Sequence, residues 1–214
     1  MSSRDAILDQ LRGQRLPNVE QPALDFPRQT FEDCLAQFEE VLQAVGGTSR
    51  RVPDRQAAIE AIGELPCYEE AAKIVSMIPD VPKANVELAG VSDPHDLHDV
   101  DLAILAGRFA VAENAAIWLD LAHVSHRVIA VLAQHLAVVV PADQIVATMH
   151  EAYARIAAPG SEDIRLDEPS FGLFLSGPSK TADIEQSLVI GAHGARSLTV
   201  LLVDEDGFDG TAKL

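Results

Sequence analysis

The spacing of apolar residues changes several times along this chain, and each change marks an element. Ala6, Ile7, Leu8 and Leu11 share one helical face near the start. The stretch from Leu16 to Arg28 then carries Pro17, Pro22 and Pro27, which a helix interior would not tolerate. Together they predict a docked helical arm and a linker over residues 1–29. From Thr30 to Val45 the apolar positions recur at three and four, behind a Thr suited to capping and acids in the first turn, and Gly46-Gly47 supplies the stop. Pro53 to Leu65 and Tyr68 to Met77 read as further helices, Asn85 to Ala89 and Leu102 to Leu105 as short strands. Phe109 to Leu119 and His135 to Val140, the latter halted by Pro141, read as buried strands. Ile145, Val146, Met149, Tyr153 and Ile156 fall on one face and predict a helix over Ala142 to Ile156. Strands at Ser170 to Leu175 and Leu198 to Val203 bracket a helical stretch, Thr181 to Ile190, an order that predicts a parallel pair joined by a right-handed crossover. The pattern describes an α/β protein with one main domain over residues 30–205 and an acidic tail over 206–214.

Composition narrows the partners. At 214 residues, 48% of them hydrophobic and 23% charged, the chain can bury one sizeable core and does not resemble a disordered sequence. Its formal net charge of -17 repels phosphate backbones and anionic lipid surfaces, which argues against nucleic acid and membranes as partners. Arg50, Arg51 and Arg55 form the one dense basic cluster, with no aromatic residue among them for base stacking, and read as a solvated turn. Met1 to Leu11 has no continuous apolar stretch, so neither a signal peptide nor a membrane anchor is expected there, and a cytoplasmic location is. Cys34 and Cys67 stand far apart, so this chain by itself is not expected to ligate a zinc knuckle or an iron–sulfur cluster, to form a disulfide, or to carry a cofactor. Both thiols read as buried small hydrophobes.

Three places offer chemistry. In Leu175-Ser-Gly-Pro-Ser-Lys-Thr-Ala-Asp-Ile-Glu185 an apolar strand meets a Gly-Pro bend and then a polar helix start. Ligands of open parallel sheets sit beyond the carboxyl ends of the strands, and free N–H groups at a helix start favour an anion. Gly177, Pro178, Ser179 and Thr181 are therefore candidates to hold a carboxylate or phosphate. Asp183 and Glu185, which belong to the same candidate set, stabilise the helix dipole themselves and so also support plain capping. Glu113, beside Asn114 in an otherwise apolar run, must be paired or hydrogen-bonded if buried. It reads either as a structural hydrogen-bond acceptor or as a nucleophile, base or ligand contact. His95 and His98 with Asp96, Asp99 and Asp101, and His123 and His126 near Asp120, have loose spacing without H-E-x-x-H, and surface or capping roles outweigh a metal there. No Walker loop, G-x-S-x-G elbow or G-x-G-x-x-G loop is present in the sequence.

The run Ser176 to Glu185, followed by Gly191-Ala-His-Gly-Ala-Arg196 and a terminal apolar strand, resembles the ending of the lactate-utilisation protein C family, the LUD domain. Asp101 to Trp118 is similar to a second signature of that family, with Ala112-Glu113-Asn114 where Ala-Glu-Thr-Gly is commoner and Ala115 at the expected Gly. The resemblance takes in the Arg4 to Arg12 helix and so spans most of the chain. It implies a three-layer α/β/α sandwich with a mainly parallel central sheet, of the type shared by sugar-phosphate isomerases, glucosamine-phosphate deaminases and CoA transferases. It also implies an accessory part in oxidising L-lactate to pyruvate beside iron–sulfur partner proteins, with a small carboxylate as ligand. The carboxylate would need a positive or N–H-rich partner, for which the Gly177 to Thr181 bend, Arg108 and Arg127 are candidates. Two other readings accompany it. Glu113-Asn114 is similar to the Ser-Glu-Asn-Gly segment of CoA transferases, which would make Glu113 the catalytic nucleophile. The pocket of such a fold can also be recruited to an unrelated small metabolite.

Overall fold

A computed structural model of the chain describes residues 3–13, 27–158, 171–182, 188–191 and 193–204. The first half runs through α1 (Ser3–Gly13), α2 (Cys34–Ala44), β1 (Thr48–Val52), α3 (Arg55–Gly63), α4 (Pro66–Glu70), β2 (Ile74–Ser76) and β3 (Leu102–Ala106). It continues with β4 (Phe109–Val111), β5 (Ala116–Asp120), α5 (Ile129–Leu132), β6 (His135–Pro141), β7 (Ile145–Val146) and α6 (Met149–Ile156). The last strands are β8 (Gly172–Leu175), β9 (Lys180–Ala182), β10 (Leu188–Ile190) and β11 (Ser197–Val203).

Five strands form the central sheet in the order β1-β11-β6-β3-β2, and every neighbouring pair is parallel. Such a sheet must be covered on both faces, which is why β3 is apolar throughout and buried at every position. On one face Leu102, Ile104, Ala137, Val139 and Leu201 meet Ala58, Ile59 and Ile62 of α3 and Tyr68 of α4. On the other, Leu105, Leu136, Val138 and Val200 meet Phe38 and Leu42 of α2, Ile129 of α5, and a second sheet through Ala110, Ile117 and Leu119. That second sheet has the order β7-β4-β5-β8. Its outer face, with Phe109, Val111 and Trp118, packs against Ala152 and Met149 of α6. The fold is thus α/β around a parallel sheet, with α3 and α4 as one outer layer and helices mixed with a small sheet as the other.

Local chemistry sets the boundaries. Helix α2 starts at Asp33, not Thr30, because the Asp33 carboxylate accepts a hydrogen bond from Ala36 N at 3.0 Å. It ends in a Schellman turn: Gly46 has φ +87, Gly47 N donates to Leu42 O and Gly46 N to Gln43 O.

Several expectations from periodicity are corrected. Tyr68 to Met77 is not one helix. The chain leaves α4 at Ala71 and enters β2, and the Asp101 carboxylate accepts from both Ala72 N and Lys73 N to hold that change of direction. Asn85 to Ala89 is not a ladder strand: Asn85 clamps β2, accepting from Ile74 N and donating to Ala72 O through its side chain, and a 3-10 turn follows at Leu88–Gly90. Phe109 to Leu119 is a hairpin of β4 and β5, since the polar pair Glu113-Asn114 interrupts the run. The helix expected from Ala142 begins only at Met149, capped by Thr148, because Ile145 and Val146 add a strand beside β4. Of the helix expected over Thr181 to Ile190, the described ends are strands: Thr181 and Ala182 lie in β9 and Leu188 to Ile190 in β10, paired antiparallel, and residues 183–187 lie outside the described residues. Strand β8 pairs antiparallel with β5 and never joins β11, so the predicted crossover between them does not exist. Helix α1 forms, yet none of its residues is buried, so its apolar face is not docked on the described residues.

Candidate functional site

The bend from Ser176 to Ser179 is stitched to three parts of the molecule. Ser176 Oγ donates to the Asn114 carbonyl at 2.6 Å, tying the bend to the β4–β5 turn. Gly177 has φ +68, and a Cβ there would lie 2.9 Å from Val45 Cγ2 and 3.0 Å from Val45 O, so only glycine fits against the end of α2. Ser179 N donates to Ala195 O at 2.8 Å, and Ser179 O accepts from Gly191 N at 2.9 Å, which closes the bend onto the loop before β11. Lys180 reaches back over Gly46, at the carboxyl end of α2, where the helix dipole favours a cation.

Between these parts lies a cavity of about 450 Å³. Its floor is apolar, with Ala130, Leu136 and Leu175, and its polar lining comes from Ser176, Ser179, Lys180 and His193. No Asp or Glu contributes among the described residues. Its place in the fold departs from expectation. Leu136 stands near the start of β6, Ala195 just before β11 and Val45 just before β1, so the cavity sits at the amino ends of the parallel strands. The bend follows the carboxyl end of β8, but β8 belongs to the second sheet. It leads into β9, so no helix start supplies the free N–H groups that an anion was expected to use. The positive group is instead the Lys180 ammonium, with the His193 side chain also on the lining.

The other sequence candidates fall in different places. Gly177, Pro178 and Ser179 line the cavity; the backbone of Thr181 lies in β9, and Asp183 and Glu185 lie outside the described residues. Glu113 N donates to Ala147 O, and its Oε1 accepts from Met149 N at 3.1 Å, so its carboxylate caps α6. Thr148 and Glu151 complete that cap: Thr148 Oγ1 accepts from Glu151 N, and Glu151 Oε2 from Ala147 N. Asn114 Oδ1 accepts from Ala116 N and shapes the turn, whose Ala115 is held at φ +53. Neither Glu113 nor Asn114 lines the cavity, although the Asn114 carbonyl holds Ser176. Arg108 is buried at the carboxyl end of β3, the opposite end of the sheet. Arg127 lies over the Phe171 ring, 4.9 Å from its centroid.

The histidine clusters are engaged locally. His95 Nδ1 bonds the Asp93 carboxylate at 2.7 Å, His98 Nδ1 the His95 carbonyl, and His126 Nε2 the Val91 carbonyl. The hydrogen bonds from His95 hold the Asp93 carboxyl below its ordinary pKa, and the Lys73 ammonium does the same for Asp99. Among the described residues no group of three or more His, Cys, Asp and Glu side chains is placed to hold a metal ion. Cys34 and Cys67 are free and half-buried, and burial raises both thiols above their ordinary pKa. His135 shares a hydrogen bond with Ser197 Oγ at 2.8 Å at the amino edge of the sheet; burial, and then the Arg196 charge, lower its pKa. Among the described residues no helix is long and apolar enough to cross a membrane.

Two residues with clear parts in the cavity were not singled out from the sequence. Lys180 sits directly after the Gly-Pro bend, and His193 between Gly191 and Gly194, both within the quoted signature. Their shared cavity depends on the β9–β10 hairpin, which the helical reading had hidden.

Comparison with known proteins agrees with the architecture. A crystal structure of a DUF162 family protein from Deinococcus radiodurans superposes with a TM-score of 0.53 over 79% of this chain and 96% of that one, at 21% identity, a likeness of fold. A protein named Lactate utilization protein C from Shouchella clausii is 33% identical over 105 residues, 49% of this chain and 44% of its own length. One of the same name from Oceanobacillus iheyensis is 29% identical over 104 residues, again 49% of this chain and 44% of that protein. The match thus spans less than half the length of these relatives. The LUD domain model matches residues 81–203, from the loop after β2 through the end of β11 and including every residue of the Ser176–Lys180 bend. By that match, which takes in more than half of its length, the chain belongs to the LUD domain family.

Proposed function

We propose that this chain serves in lactate utilisation, as an accessory component that works beside iron–sulfur partner proteins and holds a small carboxylate at the Gly177-Pro178-Ser179 bend. The observation that carries the ligand part is the cavity itself: an apolar floor, a rim bearing Lys180 and His193, and no acidic side chain among its described lining residues. In a chain of net charge -17, described lining residues that include no carboxylate are a local exception, and they suit an anion. The pathway part is supported by the relatives named Lactate utilization protein C. Electron transfer falls to partners in this reading, because two separated cysteines offer too few thiolates for a cluster.

The site binds and orients without an assigned reaction. Lys180 supplies the charge, while backbone groups of Ser179 are already used to fix the bend. Deleting the gene should abolish growth on L-lactate while sparing growth on glucose, and affinity purification from lactate-grown cells should recover cluster-bearing proteins. Calorimetry with L-lactate and pyruvate should detect binding that Lys180→Ala weakens about tenfold, the loss typical of one charge-assisted hydrogen bond. Unimpaired growth on lactate together with no cluster-bearing partner would sink the proposal.

A further inference from the structure

The cavity is far larger than a three-carbon acid requires. At about 450 Å³ and open to solvent on one side, it is a cleft with room for ligands larger than lactate. Its polar side chains, Ser176, Ser179, Lys180 and His193, belong to the bend and to the loop before β11. Ser176 Oγ is spent on the Asn114 carbonyl, and the backbone N–H and carbonyl of Ser179 on Ala195 and Gly191. Beside them Val45 and Leu175, both part-exposed, and Val131, 44% exposed, present apolar surface to the cavity, with Ala130 and Leu136 packed behind. Such a surface gains free energy from an apolar occupant.

The charge stands at one side only. Lys180 is steadied over the carboxyl end of α2, its Cε and Nζ 3.6 Å from the position a Cβ on Gly46 would take. His193 enters from the loop that Gly194 presses against Ser179, where an added Cβ would come within 3.0 Å of the Ser179 Cβ. A cationic ligand would find no carboxylate among the described lining residues, whereas a carboxylate gains the Lys180 ammonium as a partner and a neutral ligand does not.

We infer that the cavity takes an amphipathic carboxylate, a carboxyl head at the Lys180–His193 rim with an aliphatic or aromatic body of about six or more carbons against Val45, Val131 and Leu175. This deepens the proposed carboxylate reading and rests on it. It differs from that reading in placing most of the affinity in the body of the ligand, so that L-lactate is a weak, partial occupant.

The test is calorimetry on the full chain with sodium L-lactate, butyrate, hexanoate, octanoate and 4-phenylbutyrate, and with hexan-1-ol and hexylammonium as controls for the head group. Affinity should tighten about fourfold per added methylene until the cavity is full, the gain expected from burying one CH₂. Hexan-1-ol and hexylammonium should bind at least about tenfold more weakly than hexanoate, and Lys180→Ala should cost hexanoate about tenfold. Val131 lines the rim and is 44% exposed, so Val131→Asp can place a negative charge there without disturbing the core, and it should weaken hexanoate likewise. The thermal melt of Val131→Asp should match the parent, and that of Lys180→Ala should fall by no more than a few degrees, the loss of a cation at the end of α2. L-lactate binding with no dependence on chain length would overturn this inference and leave the small-carboxylate reading intact. A chain-length series in a strain that grows normally on lactate without this gene would support the inference and sink the lactate role. Hexan-1-ol binding as tightly as hexanoate, or no carboxylate binding at all, would overturn it as well.

Discussion

The two turns that meet at the Asn114–Ser176 hydrogen bond are built from similar material and do opposite things. The β4–β5 turn places Glu113 and Asn114 in an apolar setting, the arrangement that most invites a reactive role in the bare sequence. In the fold its polar groups are consumed: Glu113 caps α6, and Asn114 closes its own turn. The Ser176–Ser179 bend uses its backbone and the Ser176 hydroxyl for anchoring, but it leaves Lys180 at the rim of a cavity. A polar residue in an apolar run is thus a statement that a partner exists, and the partner can be a helix end as readily as a substrate.

The contrast can be broken most severely at Gly177. Gly177→Ala puts a Cβ about 3 Å from Val45 in a left-handed conformation, and should cost about 2–3 kcal/mol of stability together with ligand binding, read by chemical denaturation and calorimetry. Retained stability there would show that the bend tolerates a side chain. At the other turn, Glu113→Ala should cost about 1 kcal/mol by removing a helix cap, whereas Glu113→Gln, which keeps an acceptor, should cost only a few tenths. Carboxylate binding should be unchanged in both, and a binding loss in the Gln variant would join the two turns into one site. Ala115→Gly should stabilise the protein by about 0.5 kcal/mol, the relief of a left-handed alanine less the added freedom of the unfolded chain. A lower melting temperature in that variant would contradict a strained turn.

The smallest effect concerns pH. The folded-state pKa of His135 is lowered, so between its ordinary value near 6.5 and the lower folded value the unfolded chain binds more protons. Stability should therefore fall as pH drops below about 6.5, and His135→Asn should flatten that dependence in melts from pH 7.5 to 5. An unaltered slope would assign the effect to other groups.

Much of the scaffold was readable because burial on both faces leaves a plain mark. β3 is apolar throughout, β6 is apolar after His135 and β11 is broken after Leu198 only by Thr199, while Gly46-Gly47 marks the end of α2. The errors have one source. Ile145 and Val146 continue the helical spacing of α6 but pair beside β4, and Thr181 to Ile190 carries a helix-like pattern whose described ends pair as strands. Periodicity over a few residues cannot separate a short strand from a helical turn when its partner is remote. The site suffered for the same reason, since the helix start invoked for an anion at Ser179 is a strand start.

Residue order alone therefore determined the α/β class, the family signature and the Gly-Pro bend, because these rest on local chemistry and on how much apolar surface each segment must bury. Only the tertiary structure decided that Glu113 faces a helix end, that Lys180 and His193 share a rim, and that the cavity opens at the amino ends of the parallel strands. Those outcomes depend on which distant segments become neighbours, and that is fixed by the pairing of β8 with β5 and the packing of the second sheet on the first.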